Sequence, residues 1–227
     1  MIGIIAAMEE EMIILKEAFE NPIETNLLGI SFYEGKIGKH DIVLCRSGVG
    51  KVNASMATAC LIHAFECSLI INTGIAGGIT GVEPEDIVLV GSLCYADVNV
   101  CSFGYAFGQI PGMPNIYYPN MNLLIQVKQI LKKLGYPYKE GRVYTSDSFI
   151  SDINQIERVD RTLLCVAEME GAAIAQVCTK AMTDFIVLRY VSDIVGHPSQ
   201  IDDYQQFESQ MARRSSKICL EIIRNLE

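Results

Sequence analysis

The sequence predicts a single α/β domain covering residues 1–227, with a central mixed β-sheet flanked by helices. The length of 227 residues fits one large domain. Hydrophobic residues make up 50% of the chain and charged residues 20%, which indicates a packed core rather than disorder. Short apolar runs also alternate with helix-compatible segments, a pattern typical of a sheet covered by helices.

The first part of the chain predicts a strand, a short helix and a hairpin. Residues 2–7 are apolar and β-branched, as in a buried strand. The three glutamates at 9–11 precede the apolar residues 12–15, so we expect a helix whose first turn carries carboxylates. Two further runs, Ile30–Ile37 and residues 41–46, flank a Gly-Lys turn and predict a β-hairpin.

The middle of the chain predicts one helix and three strands. Residues 51–65 are rich in Ala and contain neither Gly nor Pro, which favours a helix. The strand expected at 68–72 ends in a Gly-rich turn at 73–78. Residues 87–90 and 94–100 predict two more strands.

An unusual loop separates this part from the last one. Residues 102–120 combine glycines, prolines and aromatic side chains, which indicates an ordered loop rather than a linker. The remaining predicted elements are helices over 121–134, 171–182 and 204–226, and strands over 142–145, 165–168 and 185–191.

The charge balance argues against a nucleic-acid partner. The chain has 18 Lys and Arg against 27 Asp and Glu, a formal net charge of −9. This excess repels a polyanion, and no run of basic residues offsets it locally. We therefore expect a small-molecule ligand and no DNA or RNA.

The cysteines and the N-terminal segment predict a soluble cytoplasmic protein. The eight cysteines are scattered in apolar runs without a CxxC pair, which favours buried reduced thiols. The segment at 1–8 lacks the leading positive charge of a signal peptide. No apolar run approaches the roughly 18–20 residues of a membrane span, so no membrane association is expected.

Acidic and apolar side chains follow several of the predicted strands. In open α/β sheets, ligands bind outside the carboxyl ends of the strands. Such a mixture suits a neutral or cationic small molecule with a flat apolar part and several hydroxyls. The segments expected at this rim are residues 8–11, 73–78, 146–150, 168–170 and 192–193.

Each segment also has a structural interpretation. The glutamates at 9–11 are typical of a solvated helix start, and Asp193 is a candidate helix cap. Glu168 and Glu170 could pair with Arg189. The Gly-rich turn lacks the spacing of a P-loop or a GxGxxG motif, so it gives only weak support for phosphate binding.

No metal or cofactor is expected. The three histidines, His40, His63 and His197, are dispersed and have no ligand spacing. The acid–base chemistry of carboxylates needs neither.

Eight segments together resemble the nucleoside phosphorylase/nucleosidase superfamily, and within it the 5'-methylthioadenosine/S-adenosylhomocysteine nucleosidase family. They occur in the family's order and span nearly the whole chain. The AMEEE opening with EMEGAAIA and a terminal SD resembles the nucleosidase branch specifically. The segments are IGIIAAMEEEM (2–12), SGVGKVNA (47–54), INTGIAGG (71–78), DIVLVGS (86–92), FGYAFGQIPGMP (103–114), SDSFI (146–150), AEMEGAAIAQVC (167–178) and VLRYVSD (187–193).

The resemblance implies a nucleoside phosphorylase-like fold and irreversible hydrolysis of an N-glycosidic bond, with a place in methionine salvage. The implied substrates are methylthioadenosine and S-adenosylhomocysteine, with 5'-deoxyadenosine as a further candidate. The products are adenine and a 5'-thioribose. Glu11 is implied to activate the attacking water, and Asp193, next to Ser192, to protonate adenine N7. Glu170 is implied to bind the ribose 2'- and 3'-hydroxyls.

The remaining implied site residues contact the substrate. Ile150 reads the adenine edge through its backbone, and Phe149 stacks on the ring. In the family a partner subunit of a homodimer contributes an aromatic loop to the 5'-thio pocket. The other matching positions are Met8, Ala76, Gly77, Met169 and Tyr204 in the same chain, and Phe103 and Pro111 in the aromatic loop.

These residue types suit the reaction on physical grounds. Protonation at N7 turns adenine into a neutral leaving group, and such acid–base help contributes about 10²–10⁴-fold per group. Carboxylates at 11 and 170 stabilise the positive charge that develops on the ribose. Burial or a neighbouring carboxylate such as Glu11 is expected to raise the pKa of Asp193.

One position departs from the family pattern. Ile75 stands where the family often has Ser, so no hydroxyl at this position can support Asp193 or the ribose. We expect the surroundings of the acid, and the substrate range, to be affected.

Three other functions compete with hydrolysis. A purine nucleoside phosphorylase needs basic residues for phosphate, for which Arg46 and Arg189 are the candidates. A futalosine hydrolase handles a different base and 5' group. A nucleoside-binding sensor without turnover is the alternative from another class, and it has no need for both an acid and a base.

Overall fold

Nine strands form one sheet in the computed structural model, which describes residues 1–227. The strands are β1 (Ile2–Ala6), β2 (Ile23–Leu27), β3 (Ile30–Ile37), β4 (His40–Arg46), β5 (Leu69–Thr80), β6 (Ile87–Tyr95), β7 (Lys139–Thr145), β8 (Cys165–Glu168) and β9 (Asp184–Ile194). The helices are α1 (Ile13–Glu17), α2 (Lys51–His63), α3 (Met121–Leu134), α4 (Gly171–Ala181) and α5 (Gln200–Asn225).

The sheet contains both parallel and antiparallel pairs. Its order is β2-β3-β4-β1-β5-β8-β7-β6-β9, and β9 also pairs with β5. The last five strands in this order therefore close on themselves. β1 lies between β4 and β5 in parallel register, and all five of its residues are buried. The predicted mixed sheet flanked by helices is confirmed.

Alternate residues of the strands point to opposite faces and build two hydrophobic clusters. Ile4 of β1 belongs to a cluster with residues of α1, α3 and α5. Ile5, the next residue, belongs to a second cluster with residues of α2 and α4. Helices thus cover both faces of the sheet, which explains the continuous apolar runs of the central strands.

Most predicted elements are present with small shifts at their ends. The hairpin of β3 and β4 and the helix α3 occur as expected. The boundaries of α3 follow from its caps: the Asn120 side chain accepts the backbone N–H groups of Asn122 and Leu123, and Gly135 adopts the left-handed conformation that ends the helix. The strand β2 was not expected, because its exposed residues lack a clear apolar pattern.

Four predictions about local structure are wrong. The residues at 73–78 continue β5 rather than form a turn, because they pair with β9 as far as Gly78. Residues 87–95 form one strand, not two, with an irregularity between Val90 and Ser92. Asp193 lies inside β9 and is no helix cap. The glutamates at 9–11 precede α1 in a turn, so the first turn of α1 carries no acidic residue.

The state of the cysteines relates to the predicted compartment, and the character of the helices relates to the predicted absence of a membrane span. All eight cysteines are free thiols, and seven of them are buried. None of the helices joins enough length to enough apolarity to cross a membrane.

Candidate active site

Most of the predicted site residues line one cavity beside the ends of β1, β5, β8 and β9. The cavity is partly open, and the space between its walls, including the part open to solvent, is about 460 Å³. A smaller compartment of about 260 Å³ on the same measure adjoins it and shares residues such as Phe149 and Asp193. Predicted residues that line the larger compartment are Met8, Glu11, Ala76, Gly77, Phe149, Met169, Glu170, Ser192, Asp193 and Tyr204.

Glu11 is held against the sheet by backbone donors. Its Oε2 accepts the N–H groups of Ala7 and Met8 at 2.8 and 3.1 Å, and its Oε1 accepts that of Ile75 at 3.1 Å. A Cβ on Gly74 would lie 2.6 Å from Oε1, so only glycine allows this approach. Burial raises the pKa of Glu11 above its usual range, while the Arg189 charge and the three N–H groups oppose that shift.

Glu170 follows β8 and has fewer protein partners. Its Oε1 accepts the backbone N–H of Gly50 at 2.9 Å, and its Oε2 has no hydrogen bond from the protein. Burial, followed by the charge of Glu168, raises the pKa of Glu170 to about 8. The Arg189 charge and the Gly50 N–H oppose this rise. Glu170 therefore keeps acceptor capacity free toward the cavity.

Asp193 faces the cavity because of a bulge in β9. Ala76 of β5 is opposite Val191, but Gly77 is opposite Asp193, so Ser192 is an extra residue. Ser192 Oγ donates to Asp193 Oδ1 at 2.5 Å, and Gln200 Nε2 donates to Oδ2 at 2.8 Å.

The electrostatic surroundings of Asp193 differ in part from expectation. Burial raises the pKa of Asp193, and the hydrogen bonds from Ser192 and Gln200 oppose this rise. The like-charged group that contributes is Asp203, where we had expected Glu11. A buried carboxyl with a raised pKa is suited to holding a proton for transfer to a ligand.

A second group of polar side chains, centred on Glu168, extends from the cavity wall into the interior beneath it. Glu168 accepts hydrogen bonds from the Thr145 hydroxyl and from the backbone N–H groups of Glu170 and Gly171. It also forms a buried ion pair with Arg189, which in turn donates to Asn72 Oδ1 at 2.5 Å. The predicted structural pairing with Arg189 thus involves Glu168.

An aromatic pair borders the open side of the cavity. The rings of Phe149 and Tyr204 meet edge to face, with centroids 5.3 Å apart. The Tyr204 hydroxyl lies 3.9 Å from Met8 Sδ. Ile150 is buried and lines the smaller compartment, where its carbonyl oxygen accepts from Gln200 Nε2 at 2.9 Å.

Two predicted residues lie away from this cavity. Neither Phe103 nor Pro111 lines either compartment, and the Phe103 side chain is 81% exposed. Both belong to the loop between β6 and α3. Their placement in a partner's site stays a prediction.

Ile75 contributes through its backbone. Its N–H donates to Glu11, while the hydrogen bonds to Asp193 come from Ser192 and Gln200. The missing hydroxyl therefore leaves the hydrogen bonds to the carboxyl of Asp193 intact.

Sequence reasoning missed Gln200 and the backbone of Gly50. Gln200 is buried at the first position of α5, while the predicted helix began at 204. The one feature visible in the sequence was a glutamine seven residues after Asp193, and that separation alone does not indicate a contact. Gly50 has a φ of 99°, which turns the chain so that its N–H reaches Glu170. No group of three or more His, Cys, Asp or Glu side chains is arranged to hold a metal ion.

The fold and this site place the chain in a known superfamily. Residues 1–224 match the family model of the phosphorylase superfamily, to which the chain belongs. Within it, the chain belongs to the family of 5'-methylthioadenosine/S-adenosylhomocysteine nucleosidases. A relative of that name from Geobacillus sp. (strain WCH70) is 39% identical over 230 residues, which cover 100% of this chain and 99% of the relative.

Solved structures agree with this placement. S-adenosylhomocysteine nucleosidase from Streptococcus pyogenes, in complex with 5-methylthiotubericidin, superposes with a TM-score of 0.94 at 37% identity, covering 100% of this chain and 97% of that one. Futalosine hydrolase of Helicobacter pylori strain 26695 has a TM-score of 0.93 at 27% identity, covering 99% and 97%. The fold is therefore shared by enzymes with different substrates.

Proposed function

We propose that this protein hydrolyses the N-glycosidic bond of 5'-methylthioadenosine and S-adenosylhomocysteine, releasing adenine and the 5'-thioribose product. The observation that carries the proposal is the arrangement of Glu11, Glu170 and Asp193, three buried carboxylates that line one cavity. Burial raises the pKa of each. The family membership and the nucleoside analogue bound to the Streptococcus pyogenes relative support the same substrate class.

Asp193 acts as the acid in this proposal. It borders both compartments, so a purine in the smaller compartment can present its N7 edge to the carboxyl group. Adenine carries an acceptor at N7 beside the donor at its 6-amino group. Transfer of the Asp193 proton to N7 lets the base leave as a neutral molecule.

Glu11 acts as the base that activates water. Its three backbone hydrogen bonds fix the carboxylate, and its raised pKa makes it a better proton acceptor near neutral pH. Water then attacks the sugar carbon as the bond to the base breaks. The negative charge of Glu11 stabilises the oxocarbenium-like ribose, and Glu170 adds to this in the molecules in which it is ionised.

Substrate contacts complete the site. Glu170 binds the 2'- and 3'-hydroxyls with its free Oε2, next to Met169. Phe149 stacks on adenine, and the Ile150 backbone reads its edge. Met8, Ala76, Gly77, Ser192 and Tyr204 shape the ribose side, the alkylthio side and the surroundings of the acid.

We further propose that the protein is a cytoplasmic homodimer. The eight free thiols favour a reducing compartment. The exposed Phe103 side chain on the loop between β6 and α3 is available to a partner subunit. In such a dimer, Phe103 and Pro111 would close the 5'-thio pocket of the partner's site, and the activity would serve methionine salvage.

Two other reactions remain alternatives with different support. Phosphorolysis is disfavoured because the carboxylates of the cavity repel phosphate, and Arg189 is already paired with Glu168. Futalosine hydrolysis is favoured by the TM-score of 0.93 to that enzyme. Against it, Asp193 and the Ile150 carbonyl are both acceptors, which suit the 6-amino group of adenine better than a 6-oxo group.

An adenine-release assay tests the proposal. Methylthioadenosine, S-adenosylhomocysteine, 5'-deoxyadenosine and futalosine are each supplied with and without phosphate. We expect release of adenine from the thioadenosines that does not depend on phosphate. Ribose 1-phosphate formation would instead assign a phosphorylase, and turnover of futalosine alone would assign the other hydrolase. Binding of the thioadenosines without turnover would assign a sensor.

A further inference from the structure

Gln200 occupies the smaller compartment in a specific way. It is the first residue of α5, and only 3% of its surface is exposed. Its Nε2 donates one hydrogen bond to the Ile150 carbonyl oxygen at 2.9 Å and another to Asp193 Oδ2 at 2.8 Å. One buried –NH2 group therefore bridges Ile150 and Asp193, the two residues that contact the edge of the base in the proposed site.

The orientation of this amide is fixed by a third contact. Gln200 Oε1 accepts the backbone N–H of Gly196 at 2.9 Å. A backbone N–H can only donate, so the oxygen of the amide must face Gly196 and the nitrogen must face Ile150 and Asp193. Both hydrogens of the –NH2 group are thus used.

A planar –NH2 group between these acceptors has a chemical equivalent in the ligand. The 6-amino group of adenine is also an –NH2 on an sp² carbon, and it lies beside N7 on the same edge of the base. A base that presents N7 to Asp193 brings its 6-amino group between the carboxyl and the Ile150 carbonyl. Gln200 Nε2 holds this position in the structure.

Gln200 Nε2 and the 6-amino group of a bound adenine cannot occupy the same place at the same time. Each oxygen of Asp193 already accepts a hydrogen bond, Oδ1 from Ser192 and Oδ2 from Gln200. Protonation of N7 requires one oxygen to face the base. The Ser192 hydroxyl stays close to the acid because it lies on the adjoining residue of β9 and also contacts the Ala76 carbonyl. Gln200, a long side chain at a helix end, is the group that can leave.

We propose that Gln200 is an internal competitor for the 6-amino subsite, and that an adenine-bearing ligand must displace its amide in order to bind. The inference rests on the proposed function. Its consequence is twofold. The apparent affinity for adenine is lowered by the fraction of molecules in which Gln200 is in place. A 6-oxopurine displaces the same amide without restoring a donor to the two acceptors, so it is disfavoured.

The test measures the dissociation constant of adenine by calorimetry for the wild type, Gln200→Ala and Gln205→Ala. Gln205 is an exposed glutamine on the same helix and serves as the matched control. We expect Gln200→Ala to bind adenine roughly 5- to 30-fold more tightly, because about two net hydrogen bonds no longer have to be broken. The control should bind as the wild type does. Unchanged or weaker binding by Gln200→Ala overturns the proposal, since a supporting role for Gln200 in the complex predicts weaker binding.

A second measurement needs no variant. A crystal structure of the wild type with adenine should show Gln200 Nε2 out of hydrogen-bonding distance of both Asp193 and the Ile150 carbonyl. Retention of either bond beside the bound base would overturn the inference. Failure of the proposed function is distinguished by the adenine-release assay: absence of phosphate-independent release would refute hydrolysis, whereas the position of Gln200 is determined from adenine binding alone.

Discussion

Glu168 and Glu170 are two residues apart, yet they lie in two different layers of the molecule. Glu168 touches the cavity wall but belongs, with Arg189, Thr145 and Asn72, to the layer beneath it. It accepts four hydrogen bonds, one of them from its ion-pair partner Arg189. Glu170 faces the cavity and accepts one, from Gly50. The carboxylate that is satisfied within the protein stabilises the fold, whereas the one that is left short of donors is available to a ligand.

This difference separates substitutions that remove activity from those that remove stability. The lower layer, Glu168 with Arg189, Thr145 and Asn72, is closed by protein contacts. The facing layer, Glu11, Glu170 and Asp193, carries desolvated carboxyls whose burial is unfavourable for folding. The same residue type therefore has opposite consequences for stability in the two layers.

The largest expected effect concerns catalysis in the facing layer. Asp193→Asn and Glu11→Gln should each lower kcat by about 10²–10⁴-fold, because an amide neither donates the proton to N7 nor accepts one from water. The free energy of unfolding should stay the same or rise, since a neutral group replaces a desolvated acid. Adenine-release kinetics and thermal unfolding measure these two quantities. Near-normal turnover in either variant would refute the role of that residue.

The next effect concerns stability in the lower layer. Arg189→Met should lower the free energy of unfolding by about 3–5 kcal/mol, because Glu168 then remains buried without its counter-ion. Arg214→Met is the matched control: its ion pair with Glu85 is exposed and should contribute less than about 1 kcal/mol. Urea unfolding measures the free energy of unfolding of both variants, and an equal decrease in the two would contradict the distinction between the layers.

The third effect is a pH dependence of stability, which is small over any one pH unit. The pKa of Glu170 is about 8 in the folded protein against an ordinary value of 4.5. Between these values the folded state holds a proton that the unfolded state has released, so stability falls as pH rises. Glu170→Gln should reduce that slope by up to about 1.4 kcal/mol per pH unit. Thermal unfolding from pH 4.5 to 8 measures it, and identical slopes in the two proteins would exclude Glu170 as the source.

The sequence predicted the sheet, most of its strands and the carboxylates that converge on the cavity. The strands can be predicted because apolar periodicity is a local property of the sequence. The site residues can be predicted because they directly follow the predicted strands. Gln200 could not be found in this way, because its contacts with Ile150 and Asp193 depend on how the start of α5 packs. The continuation of β5 through its glycines depended likewise on a partner strand, β9, that lies over 100 residues later.

The bulge at Ser192 determines to which face of the sheet the proposed acid points. In a regular strand, neighbouring side chains point to opposite faces, and the extra residue in β9 resets that alternation just before Asp193. In a regular β9 without the bulge, Ser192 would pair with Gly77 and Asp193 with Gly78, and the proton donor would point to the same face as the buried Val191. The chemistry proposed for this site thus depends on the bulge as well as on the functional side chains, all of which a regular strand of the same sequence would retain.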